Sequence, residues 1–262
     1  VKKDFPVAAT SKVVLIIEYE GTRYHGFQLQ LKLPTIQREL ERALAKLSGD
    51  RRRVVAASRT DAGVHAKGQV VSFRTASSLP EATFVTGLNH YLPEDIAVRA
   101  AYRVDDSFHV QRDAVSREYS YCVLNSPTRS PLGRRTSYLV SARLDIAAMN
   151  EACRLLLGEH DLASFASRME VGERSTVKNI FRAGVTREGE TVVFHVVANS
   201  FLPHQVRNTV GLLLRVGLGK MGAGEVRDII EARRPGLAGP TAPACGLCLM
   251  RVNYALPFEE MR

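Results

Sequence analysis

A chain of 262 residues, 45% hydrophobic and 24% charged, has the composition of a globular protein with room for one large or two modest domains. Its 36 lysines and arginines against 27 aspartates and glutamates leave a net charge of +9, so a polyanionic partner is a reasonable expectation beside the plainer one of a basic soluble protein. No apolar run approaches the roughly 20 residues that cross a bilayer, the opening residues lack a signal-peptide layout, and four scattered cysteines make no disulfide framework; the expected compartment is the cytoplasm, without a membrane partner.

Residues 1–11 show no periodicity and read as a loose arm. K-V-V-L-I-I-E-Y, residues 12–19, is β-branched and nearly continuously apolar, a buried strand. In the glycine-marked turn that follows, Tyr24, Phe27 and Gln28 either stack on and hydrogen-bond a base or close the edge of the core. Pro34 opens a helix whose Ile36, Leu40, Ala43, Leu44 and Leu47 recur at helical spacing until Gly49. Arg51, Arg52 and Arg53 then form either a solvated face or a grip on phosphates. In V-V-A-A-S-R-T-D-A-G-V-H-A-K-G-Q-V-V-S-F, residues 54–73, two strand-like runs flank a polar segment, Ser58 to Lys67. Arg59, Asp61, His65 and Lys67 sit there, where Gly63 lets the chain turn. Pattern alone leaves it either an Asx-type turn or a functional loop.

A helix over Pro80–Leu92 and a strand over Ile96–Val104 complete the order strand, helix, strand, strand, helix, strand. That is the split βαβ arrangement, with helices on one face and an open face as a platform for RNA. S-F-H-V-Q-R-D-A, residues 107–114, carries Arg112, and R-E-Y-S-Y enters a strand on which Tyr119 is either interior or turned to a site. The stretch 125–135 holds Arg129, Arg134 and Arg135 and reads as a basic loop, gripping phosphates or merely linking. A core helix over Leu144–Leu157 takes Asp145 as N-cap and Gly158 as stop; a hairpin follows over Thr176–Arg187 and Thr191–Ala198. In F-L-P-H-Q-V-R-N-T-V-G, Arg207 stands among apolar residues, rarely buried without an anion, though a structural ion pair elsewhere would also satisfy it. Glu225–Arg234 makes a short helix, and A-P-A-C-G-L-C-L leads into the last strand. With no second Cys-x-x-Cys, Cys245 and Cys248 read as small core residues rather than a zinc or redox pair.

Y-H-G-F-Q-L-Q, R-T-D-A-G-V-H-A with G-Q-V-V-S-F, S-F-H-V-Q-R-D-A, G-E-H-D-L-A-S-F-A, F-L-P-H-Q-V-R-N-T-V-G and A-P-A-C-G-L-C-L together resemble, in order, the TruA family of tRNA pseudouridine synthases. Pro203 departs from the pattern, where an aromatic is usual. The resemblance implies an α+β fold of two related split βαβ, RRM-like halves, 12–108 and 109–257, whose antiparallel sheets join around a central basic cleft. It implies Asp61 as the catalytic carboxylate, Arg59 as its basic neighbour, Arg207 as its partner, and Tyr119 and Leu247 near the target base. Tyr24, Phe27, Gln28, His65 and Lys67 are expected to bind substrate, and Arg51, Arg52, Arg53, Arg112, Arg129, Arg134 and Arg135 the RNA backbone. The substrate implied is tRNA, with uridines 38–40 on the 3′ side of the anticodon stem-loop isomerised; a homodimer is implied, and no cofactor or metal. Breaking an N-glycosidic bond and rejoining the uracil through carbon calls for a carboxylate beside the sugar or base. The competing reading is a noncatalytic RNA-binding protein; no P-loop or G-x-G-x-x-G points to another polyanion.

Overall fold

β-Branched residues alternating between two packed surfaces make β1 (Ser11–Tyr19) the centre of the first half of the chain. In the computed structural model, which describes residues 10–49, 51–167 and 175–261, β1 lies between β3 (His65–Thr75) and β4 (Ile96–Val104), antiparallel to both. The two-residue β2 (Val55–Ala56) flanks β3, giving the order β4-β1-β3-β2. The second half repeats it: β5 (Ala114–Leu124) lies between β10 (Leu247–Tyr254) and β9 (Thr191–Ala198), with β8 (Val177–Glu188) beyond, all antiparallel. β7 (Gly158–Asp161) extends that edge, and β6 (Tyr138–Leu139) pairs with β5. β10 runs parallel to the start of β3, placing Cys248 opposite His65 and Leu249 opposite Ala66, so the halves share one mixed sheet rather than two antiparallel ones. Of the expected loose arm, residues 1–9 lie outside the described residues.

The α1 helix (Ile36–Ser48) starts where Thr35 Oγ1 accepts from the Arg38 amide and stops at Gly49, whose φ of 74° only glycine adopts freely. α2 (Glu81–Tyr91) packs beside it, with Phe84 edge-on to Phe73 of β3 at 5.7 Å. Asp145 caps α3 (Ile146–Leu155), which lies against α4 (Gln205–Gly217) and α5 (Ala223–Ala232). α4 sets Val206 and Thr209 over Phe194 and Val196 of β9. Tyr19, Ala66, Leu249, Tyr119 and Val196 are register partners across five strands, one row on this helix-bearing face. On the opposite face Phe258 stacks against Tyr102 at 5.3 Å, so part of the expected open platform is covered by the chain's own C-terminal segment. Among the described residues no helix is long and apolar enough to cross a membrane.

Candidate active site

The segment after β2 is held by main-chain bonds from the turn after β1. Phe27 N donates to Thr60 O (3.0 Å), Gly63 N to Tyr24 O (3.2 Å), and the Tyr19 phenol meets Thr60 Oγ1 at 2.8 Å. Gly26, at φ 83°, comes so close that a Cβ there would stand 2.7 Å from Thr60 O. Asp61 therefore sits on a stapled turn, Val64 N donating back to its carbonyl (3.2 Å). Its Oδ2 receives Arg207 Nη1 at 3.1 Å and lies 3.6 Å from His204 Nε2. Arg207 Nε donates to Ala242 O at 2.8 Å, fixing the guanidinium plane. The Asp61 side chain is 31% exposed and Arg207 17%, so the pair lies in a wall rather than in the core.

That wall belongs to a cavity of about 530 Å³ between the Asp61 turn and the start of α4, lined by Ser58, Arg59, Asp61, Tyr119, Arg207 and Leu247 among others. The cavity thus opens on the helix-bearing face, not on the face expected as the RNA platform. Tyr119 is buried, its phenol 3.0 Å from Ser58 Oγ and its ring edge-on to Phe201 at 5.2 Å. Burial pushes that phenol up to about 12, against the opposing pull of the Ser58 bond. Arg117 lies in the lining with its guanidinium on the carbonyls of Gln111 (2.9 Å), Ala114 (3.1 Å) and Asn199 (2.7 Å). No carboxylate pairs with it among the described residues, and burial pulls its pKa down. Arg59 is exposed on the rim, without an ion pair among the described residues, so it is not the local partner of Asp61.

The remaining candidates are placed elsewhere. Tyr24 and Phe27 are buried: the Tyr24 phenol donates to Asp95 Oδ1 at 2.6 Å, and Phe27 packs beside Tyr19. Both brace the Asp61 turn through their backbones, and Gln28 lies outside the cavity lining. His65 and Lys67 belong to β3, not to a loop, and face a separate depression with Glu18, Cys122 and Cys248. His65 Nδ1 accepts from Gly21 N (3.0 Å), which leaves Nε2 to donate to Cys245 O (3.1 Å). It ties the turn before Leu247 to the turn after β1. Arg53 reaches Glu41 (3.8 Å), Arg112 reaches Asp113 (2.9 Å), Arg135 reaches Glu20 (3.5 Å), and Arg134 donates to Pro131 O (2.7 Å). Arg51 and Arg129 are exposed and Arg52 is half-buried; none of these seven arginines lines the cavity. Cys245 and Cys248 are half-buried, burial raising the first thiol and pushing the second up to about 11. No group of three His, Cys, Asp or Glu side chains among the described residues is placed to hold a metal ion. Sequence reasoning passed over His204, Ser58, Phe201 and Arg117. Of these, His204 and Phe201 stood in the motif that carried Arg207 and Arg117 two residues before Tyr119, but nothing in their spacing showed their contacts.

The family described as tRNA pseudouridine synthase matches residues 15–113 and 152–255. Among similar proteins is a tRNA pseudouridine synthase A of Acetivibrio thermocellus, 42% identical over 242 residues, which cover 92% of this chain and 99% of that one. Another, from Syntrophotalea carbinolica, is 43% identical over 245 residues, covering 94% and 97%. One from Legionella pneumophila is 39% identical over 247 residues, covering 94% of each.

Proposed function

The chain belongs to the tRNA pseudouridine synthase A family and is an isomerase, and on that premise we propose that it converts uridines on the 3′ side of the anticodon stem-loop to pseudouridine, with Asp61 as the catalytic carboxylate. The observation that carries this reading is the Asp61–Arg207 contact in the cavity wall, made by residues 146 positions apart. The reaction breaks the bond from the sugar to uracil N1, makes one to C5, moves a proton onto N1 and releases one from C5. Nothing is oxidised or reduced, and the chemistry asks for a positioned carboxylate, not a cofactor or metal. Arg207 orients Asp61, and Tyr119 and Leu247 flank the extruded base. Stacking on an aromatic ring contributes about 1 to 3 kcal/mol per base and offsets part of the cost of extrusion. Arg59, without an ion pair among the described residues, approaches the RNA backbone from the rim, as do the exposed arginines at 51 and 129.

The same reading takes 12–108 and 109–257 as related RRM-like halves around the cleft, supported by the matching orders β4-β1-β3-β2 and β10-β5-β9-β8. It also takes the protein as a cytoplasmic homodimer, an assembly that sedimentation velocity tests directly. The reaction is tested by incubating purified protein with unmodified tRNA transcript and mapping pseudouridine by site, wild type beside Asp61→Asn. Conversion in the anticodon stem-loop by wild type alone is the expected result. A folded wild type that binds tRNA and converts nothing would leave the noncatalytic RNA-binding reading in its place.

A further inference from the structure

His204 stands directly before α4 with φ 60° and ψ −1°, left-handed backbone that a side chain bearing a Cβ disfavours. Its side chain makes no capping bond to the helix it precedes, so helix termination does not explain the residue. That conformation delivers the imidazole to the cavity, with Nε2 3.6 Å from Asp61 Oδ2 and the side chain 35% exposed at the mouth. Arg207, three residues on and one turn up the same helix, addresses the same oxygen at 3.1 Å. Asp61 Oδ1 has no hydrogen-bond partner among the described residues. Strained backbone that aims a side chain at a reactive group is a pattern that belongs to working sites. At 3.6 Å the contact is not yet a hydrogen bond, and such contacts tighten when substrate closes the site.

We propose that His204 is a positioning residue: with Arg207 it holds Asp61 by Oδ2 and leaves Oδ1 to face the nucleotide. The inference rests on Asp61 being the catalytic carboxylate, so its test carries Asp61→Asn alongside. Glycine accepts φ 60° without a clash, so His204→Gly removes the imidazole while keeping the turn. If the glycine variant unfolds, His204→Asn, another residue that tolerates left-handed backbone, replaces it in the comparison. The expected result is a single-turnover rate about 10- to 100-fold below wild type, as for a misplaced reacting group, with tRNA Kd and melting temperature little changed. His204→Gln, whose amide can donate to Oδ2, recovers part of the rate, as does added imidazole with the glycine variant. A glycine variant at the wild-type rate overturns the inference. So does a loss confined to tRNA Kd, which would make His204 an RNA contact, or a rate restored by neither Gln nor imidazole. An inactive Asp61→Asn beside a fully active glycine variant sinks only the role of His204; an active Asp61→Asn sinks the reading beneath it.

Discussion

Arg207 does two things with one planar group, donating from Nε to Ala242 O at 2.8 Å and from Nη1 to Asp61 Oδ2 at 3.1 Å. A lysine ammonium keeps the charge but places its donors on one nitrogen at the end of a flexible stem, without the fixed planar spacing of Nε and Nη1. Arg207→Lys should therefore stay folded, with a modest fall in melting temperature, and lose roughly 100-fold or more in single-turnover rate because the carboxylate is no longer aimed. Arg207→Ala leaves Asp61 without its nearest cation and Ala242 O without a donor. Hydrogen bonds to charged groups contribute about 1.5 to 3 kcal/mol, so that variant should also lose stability of this order in denaturant titration. A lysine variant turning over at the wild-type rate would mean that charge alone, not the fork, serves Asp61.

At the scale of elements, the Asp61–Arg207 contact depends on how closely α4 approaches the segment before β10. A Cβ on Gly211 would stand 1.7 Å from Pro240 O, so helix and segment meet backbone to backbone. Ala242 N donates to Arg207 O (3.1 Å) and Thr241 Oγ1 to Asn208 Oδ1 (2.6 Å) across the same seam. Gly211→Ala must push the segment away, at a cost of about 1 to 3 kcal/mol, and should slow the reaction by moving Ala242 O from under Arg207. Chemical denaturation and single-turnover rates measure both; an unchanged stability would show that the seam yields. The helices themselves were legible in the sequence, because period and caps are local: Gly49 stops α1 and Asp145 caps α3 where their chemistry predicts, while α1 starts from Thr35 as N-cap rather than at Pro34. The start of β3 was not, since the polar run to Lys67 reads as loop while His65 is held by Gly21 and Cys245, 44 and 180 residues away. Tyr24 and Phe27 show the same limit: aromatic residues on a turn look equally like stacking groups and core, and only the packing around Thr60 decides. Asp61 and Arg207 stood out as chemistry in their motifs, but the left-handed backbone of His204 has no signature in residue type.

Across the whole molecule the fold buries phenols as well as aliphatic side chains. Burial raises the pKa of Tyr19, Tyr24, Tyr121 and Tyr254 and pushes Tyr119 up to about 12, above the ordinary value near 10. A raised folded value means the fold prefers the neutral phenol, so this stabilisation is complete below about pH 10. It is lost as pH climbs from there through the folded values. For Tyr119 alone a rise from 10 to about 12 corresponds to roughly 2 to 3 kcal/mol. Net self-repulsion is small where the loss begins, because the sequence pI of about 9.6 lies just below it. The melting temperature should thus carry no phenol-dependent loss between about pH 7 and 9 and fall steeply above about 10, with tyrosinate absorbance from the buried rings rising as the protein unfolds. Those rings titrating near 10 in protein that is still folded by circular dichroism would show that solvent reaches them. Because Tyr119 stays neutral over the same lower range, it keeps its bond to Ser58, and in the proposed reaction its ring is uncharged. The pH–rate profile should accordingly show no alkaline limb from this phenol until the fold itself is failing.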